Sequence, residues 1–216
     1  MHHYRNILFD LDGTVIDSKH GVLACVRKTF AELGLTLPDE SQLDGFMGPP
    51  IDECFTQVCG ISKEQTAAAI KVYRRYYEGG GIYDVKLYYG IEKLLCDLKA
   101  GGCRLGIATS KNQRMAGIVL RHCGIFEYFD TIAGEPDNIS EKWFKKDSVK
   151  KAVAELGDAD LHRYVLVGDR RFDAEGAAAA GIDSIGVLFG YGCSDELENS
   201  PFTFIAKDIK HLKELL

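Results

Sequence analysis

From residue 91 onward the chain alternates short apolar runs with amphipathic segments, and that alternation leaves few folds open. The pattern predicts helices over 91–98, about 112–122, 146–156, 173–180 and 209–216. Between them lie strands over 104–108, 131–133, 164–167, 184–187 and 204–205, and one more strand, Ile7-Leu8-Phe9, opens the chain. Strands separated by helices of this length predict an α/β fold, a doubly wound parallel sheet covered on both faces. Right-handed crossovers then bring the carboxyl ends of the strands to one edge, where such sheets hold their ligands.

The stretch between the first strand and this alternation has a different character. Ser18 is placed to cap a helix whose Val22, Val26, Phe30 and Leu33 share a face and which ends at Gly34. Gly48-Pro49-Pro50 makes a rigid bend, and Pro50 suits the first turn of a helix through Phe55 and Val58. Ser62 with Gln65 reads as a capping box for a helix through Ala69, Val72 and Tyr76, closed by Gly79-Gly80-Gly81. Residues 17–82 are therefore expected to form a small α-helical cap inserted into a core domain of 1–16 and 83–216.

Composition narrows the classes of function. The 216 residues are 46% hydrophobic with a net charge of −6, and Lys and Arg are scattered, so a nucleic-acid or anionic-membrane partner is not expected. Seven cysteines without a Cys-x-x-Cys pair read as small core residues in a reducing compartment. With a strand at the N-terminus and no apolar run of membrane-spanning length, the expectation is a cytoplasmic protein, monomer or homodimer.

Polar clusters fall where the strands should end. Phe9 discharges into Asp10-Leu11-Asp12-Gly13-Thr14, and carboxylates at i and i+2 of an extended backbone lie on one side. The strand over 104–108 opens into Thr109-Ser110-Lys111, and that over 164–167 opens into Gly168-Asp169-Arg170-Arg171-Phe172-Asp173. Taken singly, Asp12 and Asp173 also suit helix caps, Thr109 a strand-end hydroxyl and Asp169 a turn. Together, acids, hydroxyls and a lysine on one edge point to phosphate chemistry with Mg²⁺, whose hard character matches carboxylate oxygens.

In order along the chain, Asp10-x-Asp12-Gly13-Thr14, Thr109, a lysine at 145 or 146, and Gly168-Asp169-x-x-x-Asp173 resemble the four motifs of haloacid dehalogenase superfamily phosphatases. The cap after the first motif, Gly48-Pro49-Pro50 and Ala108-Thr109-Ser110-Lys111 resemble the branch named phosphoglycolate phosphatase or 5′-nucleotidase. The resemblance implies a phosphatase acting on a small-molecule phosphomonoester through an aspartyl-phosphate. It implies Asp10 as nucleophile, Asp12 as acid and base, Thr109 with Ser110 holding phosphoryl oxygens, and a lysine offsetting charge. Lys146, three residues before Val149, has the family's Lys-x-x-Val spacing and is favoured over Lys145. Mg²⁺ would be held by Asp10, the Asp12 carbonyl and Asp169, with Asp173 a direct ligand or one step removed.

Leaving-group choice is expected to rest on the cap, with Gly48 and Pro49 as binding residues. Residues 43–55 carry Asp44, Asp52 and Glu53 but no Lys or Arg, which weakens the case for a carboxylated substrate unless Lys19, Arg74 or Arg75 substitutes. Phe46, Met47, Tyr73, Tyr76 and Tyr77 either line a base-stacking pocket or, the favoured reading, pack the cap. A phosphosugar mutase and a non-enzymatic phospho-aspartyl regulator remain as alternatives. A dehalogenase is disfavoured because it would not need the acid at Asp12.

Overall fold

The computed structural model describes residues 4–49, 51–137 and 142–216. In chain order the elements are β1 (Asn6–Phe9), β2 (Ile16–Asp17), α1 (Lys19–Leu33), α2 (Glu40–Leu43), α3 (Ile51–Glu53), α4 (Lys63–Glu78), β3 (Lys86–Leu87), α5 (Ile91–Ala100) and β4 (Arg104–Asn112). They continue with α6 (Gln113–His122), β5 (Thr131–Glu135), α7 (Lys145–Leu156), β6 (Tyr164–Gly168), α8 (Arg171–Ala180), β7 (Asp183–Val187), α9 (Ser194–Glu198), β8 (Phe204–Ala206) and α10 (Ile209–Leu215). The chain divides into two units, Met1–Asp17 with Leu87–Leu216, and Ser18–Lys86. Both boundaries fall slightly later than the sequence suggests.

The larger unit is a six-stranded parallel sheet in the order β5-β4-β1-β6-β7-β8, the α/β architecture expected. β1 and β6 are buried along their whole length, which is why, Asn6 apart, their sequences read as apolar runs. On one face Leu8, Ala108, Leu166 and Tyr164 pack against Val149, Ala152 and Leu156 of α7 and Ala177 of α8. A Cβ on Gly176 would meet the Lys145 side chain at 3.1 Å, so the small residues of α8 let α7 lie close. Phe9 is level with Ile107 on one side and Val167 on the other, and this register sets Asp10, Thr109 and Asp169 at neighbouring heights on the carboxyl edge. After β1 the chain crosses towards β4, and after β6 it crosses towards β7, so that edge is also the switch point of the sheet.

The smaller unit is helical. Ser62 and Gln65 form the expected capping box at the start of α4, while Ser18 stands before α1 without a side-chain cap bond. Pro50 lies outside the described residues, and the helix expected to follow it is one α turn, α3, continued by a π turn over Cys54–Val58. Phe55 sits at the centre, with ring centroids 6.0 Å from Phe30, 5.3 Å from Phe46 and 6.2 Å from Tyr73. The glycine run does more than end α4. A Cβ on Gly81 would strike the Cys25 Sγ, and one on Gly21 would lie 2.5 Å from the Gly81 carbonyl, so the 3₁₀ turn Gly81–Tyr83 docks on α1 and extends this unit beyond residue 82.

Candidate active site

β1 ends in a tight turn in which the Leu11 carbonyl accepts from Val15 and Ile16, both at 3.0 Å, and Gly13 takes a φ of 93°. Asp10 leaves β1 with its amide bonded to Val167 of the neighbouring strand and its side chain buried. Lys145, in the first turn of α7 and also buried, donates to Asp10 Oδ1 at 2.5 Å and lies 2.6 Å from Asp173 Oδ1. Asp169 is fully buried; its Oδ1 accepts from the Thr14 hydroxyl at 3.1 Å and its Oδ2 from the Tyr191 amide at 2.8 Å. The second Asp173 oxygen accepts from the Arg170 amide at 3.0 Å. Asp10, Asp169 and Asp173 each offer an oxygen within 4.8 Å of the others.

Three buried carboxylates thus face one buried ammonium, a surplus of negative charge that an isolated protein interior resists. Burial pushes Asp169 up to about 8, helped by repulsion from Asp173 and Asp10. Asp10 rises to about 6, with burial outweighing attraction to Lys145. Burial alone would discharge Lys145, but the fields of Asp10 and Asp173 overcome it and hold its pKa above the ordinary value. A divalent cation would relieve the surplus, and the oxygen-only donor set suits a hard one.

Metal-free protein should therefore be pH-sensitive in a definite direction. Both acids bind a proton more tightly folded than unfolded, so between their ordinary 3.8 and about 8 the folded state holds the extra protons and loses stability as pH rises. Melting temperatures of metal-stripped protein should fall from pH 5 to pH 8, and Mg²⁺ should raise the value at pH 8. No Mg²⁺ response at pH 8 would count against the carboxylate group as a cation site.

The structure brings Asp10, Asp169, Asp173 and a lysine together, but the lysine is Lys145. Lys146, the position that sequence context favours, is exposed, with its Nζ 5.3 Å from the Phe144 ring centre. The cause is helix phase. Lys145 shares the buried stripe of Ser148, Val149, Ala152 and Leu156, and the next residue is turned by about 100°. Asp12 also differs from the extended picture: its chain has already turned, and its carboxylate pairs with Lys111 Nζ at 2.8 Å instead of joining the three clustered acids. Thr109 is buried, its hydroxyl accepting from the Lys111 amide at 3.1 Å, and Ser110 beside it is half-buried.

Gly48 and Pro49 belong to the smaller unit, where Gly48 is exposed with a φ of 120°. Phe46, Met47, Tyr73 and Tyr77 are buried there as packing residues, whereas the Tyr76 hydroxyl donates to Glu32 at 2.7 Å. Lys19 pairs with Asp44 at 2.8 Å, and Arg75 with Glu32.

Several contributors escape a motif reading. Ser148 donates to the Thr109 carbonyl at 2.7 Å and accepts from the Trp143 indole at 2.8 Å. The loop after β7 closes on Asp169: a Cβ on Gly190 would lie 2.3 Å from the Asp169 Cβ, and one on Gly192 would lie 2.0 Å from the Asp169 carbonyl. The glycines were visible in the sequence, but nothing there says which strand end they cover.

A doubly wound sheet with buried acids and a buried lysine at its switch point is the arrangement in which α/β enzymes hold their ligands. The family model for haloacid dehalogenase-like hydrolases matches residues 7–187, and the chain belongs to that family. It is 34% identical to a 5′-nucleotidase of Pseudomonas aeruginosa over 99% of this chain and 96% of that one. It is 37% identical to the tyrosine-protein kinase PtkA of Mycobacterium tuberculosis over 97% of this chain and 72% of that one. The crystal structure of a protein described as a phosphatase from Clostridium difficile superposes with a TM-score of 0.89 at 33% identity, covering all of both chains. Relatives named 5′-nucleotidase and phosphoglycolate phosphatase both match, in keeping with the branch the motifs resemble.

Proposed function

We propose that the protein is a Mg²⁺-dependent phosphatase of small phosphomonoesters that works through an aspartyl-phosphate on Asp10. The observation that carries this reading is the buried Asp10 carboxylate held by Lys145 at 2.5 Å within reach of Asp169 and Asp173. An Asp10 oxygen attacks phosphorus, the P–O bond to the leaving group breaks, and its electron pair stays on the ester oxygen, which takes a proton from Asp12. Water then attacks the acyl-phosphate as Asp12 removes its proton. Phosphate departs, and Asp10 is again a carboxylate with Asp12 reprotonated for the next cycle.

Lys145 offsets charge on Asp10 and on the phosphoryl group as it transfers. The Thr109 hydroxyl, which accepts from the Lys111 amide, keeps its own proton to donate to a phosphoryl oxygen. Asp10 and Asp169 would hold Mg²⁺ directly. Asp173, whose oxygens meet Lys145 and the Arg170 amide, would complete the cation's surroundings as a direct ligand or through an intervening water. When bound, the cation neutralises the approach of two anions.

The test is a phosphate-release screen over nucleoside monophosphates, phosphoglycolate, sugar phosphates and pyrophosphate, with EDTA and Mg²⁺ arms. Release from one or more esters that EDTA abolishes and Mg²⁺ restores is the expected result. A sugar phosphate isomerised without release would make the protein a mutase. Transfer from ATP to a tyrosine peptide in place of release, or no turnover of any ester, would overturn the phosphatase reading.

A further inference from the structure

Lys111 is a cation of the same edge to which the steps above give no task. Its backbone is held from several sides. β4 carries a register shift between Ala108 and Asn112, so Lys111 lies in an irregular stretch where the strand leaves ideal pairing. Its amide donates to the Thr109 hydroxyl oxygen at 3.1 Å. Its carbonyl lies against Gly134 of β5, where a Cβ would come within 2.4 Å. The next residue, Asn112, caps α6 by accepting from the Arg114 amide at 3.1 Å and the Met115 amide at 3.3 Å, and donates to the Glu135 carbonyl at 3.2 Å. From this anchored backbone the side chain reaches Asp12 Oδ2 at 2.8 Å, with the lysine 13% and the aspartate 21% exposed. An ion pair so covered is unlike the solvated surface pairs that fix little.

We propose that Lys111 is the positioning residue of Asp12: it holds the Asp12 carboxyl group, which carries the proton taken from water in the preceding cycle, in the orientation that meets the leaving oxygen, and through its amide it fixes the acid and base relative to the Thr109 hydroxyl. The inference rests on the phosphatase reading. An unrestrained aspartate samples three χ1 wells, whereas proton delivery requires an approach of about 2.6–3.2 Å. A group displaced by about 1 Å costs on the order of 10²-fold in rate.

The chemistry makes this role separable from a direct grip on phosphate. An alkyl ester must leave with a proton from Asp12. A nitrophenolate leaves readily without one. kcat/KM covers the steps up to departure of the leaving group, so loss of Asp12 alignment should be read there as a difference between esters.

The experiment compares the best alkyl phosphate from the screen with p-nitrophenyl phosphate, using wild type, Lys111→Met, Lys111→Arg, Asp12→Asn and Lys111→Met/Asp12→Asn, each with its melting temperature. Lys111→Met should lower kcat/KM for the alkyl ester by about 10²-fold and for the aryl ester by only a few-fold. Lys111→Arg should restore most of the alkyl activity. Asp12→Asn should show the same split, and adding Lys111→Met to it should cost little more. Equal losses on both esters, or a raised KM at unchanged kcat, would overturn the inference, the latter making Lys111 a phosphate contact. A wild type that hydrolyses neither ester defeats the phosphatase reading itself. An active wild type with uniform Lys111→Met losses defeats only the role given to Lys111.

Discussion

Asp10→Asn should lower phosphate release by about 10³-fold or more while leaving the protein folded. Asparagine keeps the shape and the oxygen but has no anionic oxygen with which to form a stable acyl-phosphate. Its effect on stability should be opposite in sign to its effect on activity. At neutral pH the wild-type carboxylate is held in a place that disfavours its charge, with burial raising its pKa to about 6. A neutral amide removes that cost, and Lys145 retains Asp173 at 2.6 Å as a partner. Phosphate release with the best ester and the melting temperature of metal-free protein at pH 7.5 together test this. Substantial residual turnover would remove Asp10 from the nucleophile's role.

The pair Lys145→Met and Lys146→Met should separate two adjacent residues completely. Removing Lys145 takes away the ammonium that Asp10 and Asp173 share, and breaking a buried ion pair from one side costs about 3–5 kcal/mol. The cost should shrink as pH falls, because Asp10 and Asp169 then take up protons in the folded state. Activity should fall by about 10²–10³-fold, the scale for losing a preorganised positive charge at a phosphoryl group. Lys146→Met should stay within about 0.5 kcal/mol of wild type, as exposed substitutions generally do, with turnover retained. Urea unfolding and phosphate release measure both. A Lys146→Met enzyme crippled beside an active Lys145→Met enzyme would reverse the assignment.

These adjacent lysines also show where sequence reading succeeds and where it stops. β1 and β6 were legible because central parallel strands must be apolar on both faces, and the acids that follow them stand out against that background. What escaped was phase. In α7 two lysines stand side by side, and only packing decides that Lys145 lies with Ser148 and Val149. α4 repeats the problem in part: Tyr73, Tyr76 and Tyr77 all read as packing residues, and the buried face takes Tyr73 and Tyr77 while the Tyr76 hydroxyl bonds to Glu32. Doublets of one residue type offer two faces of similar content, so periodicity alone cannot choose between them. The extension of β4 through Thr109, Ser110 and Lys111 was hidden for a different reason. It depends on Gly134 and Asn112, residues from both sides of the contact, and neither marks a strand by itself.

The surroundings of Asp169 have a practical consequence. A Cβ added at Gly13 would lie 2.2 Å from its Oδ2, and those at Gly190 and Gly192 would collide with its side chain and carbonyl. The neighbouring Gly168 has no more room, with Asp173 Cγ at 2.2 Å. Alanine scanning, the usual way to find what a site depends on, works by deleting atoms. At these four positions alanine is an insertion, and the most demanding part of what surrounds Asp169 and Asp173 consists of hydrogens that no side-chain truncation can remove.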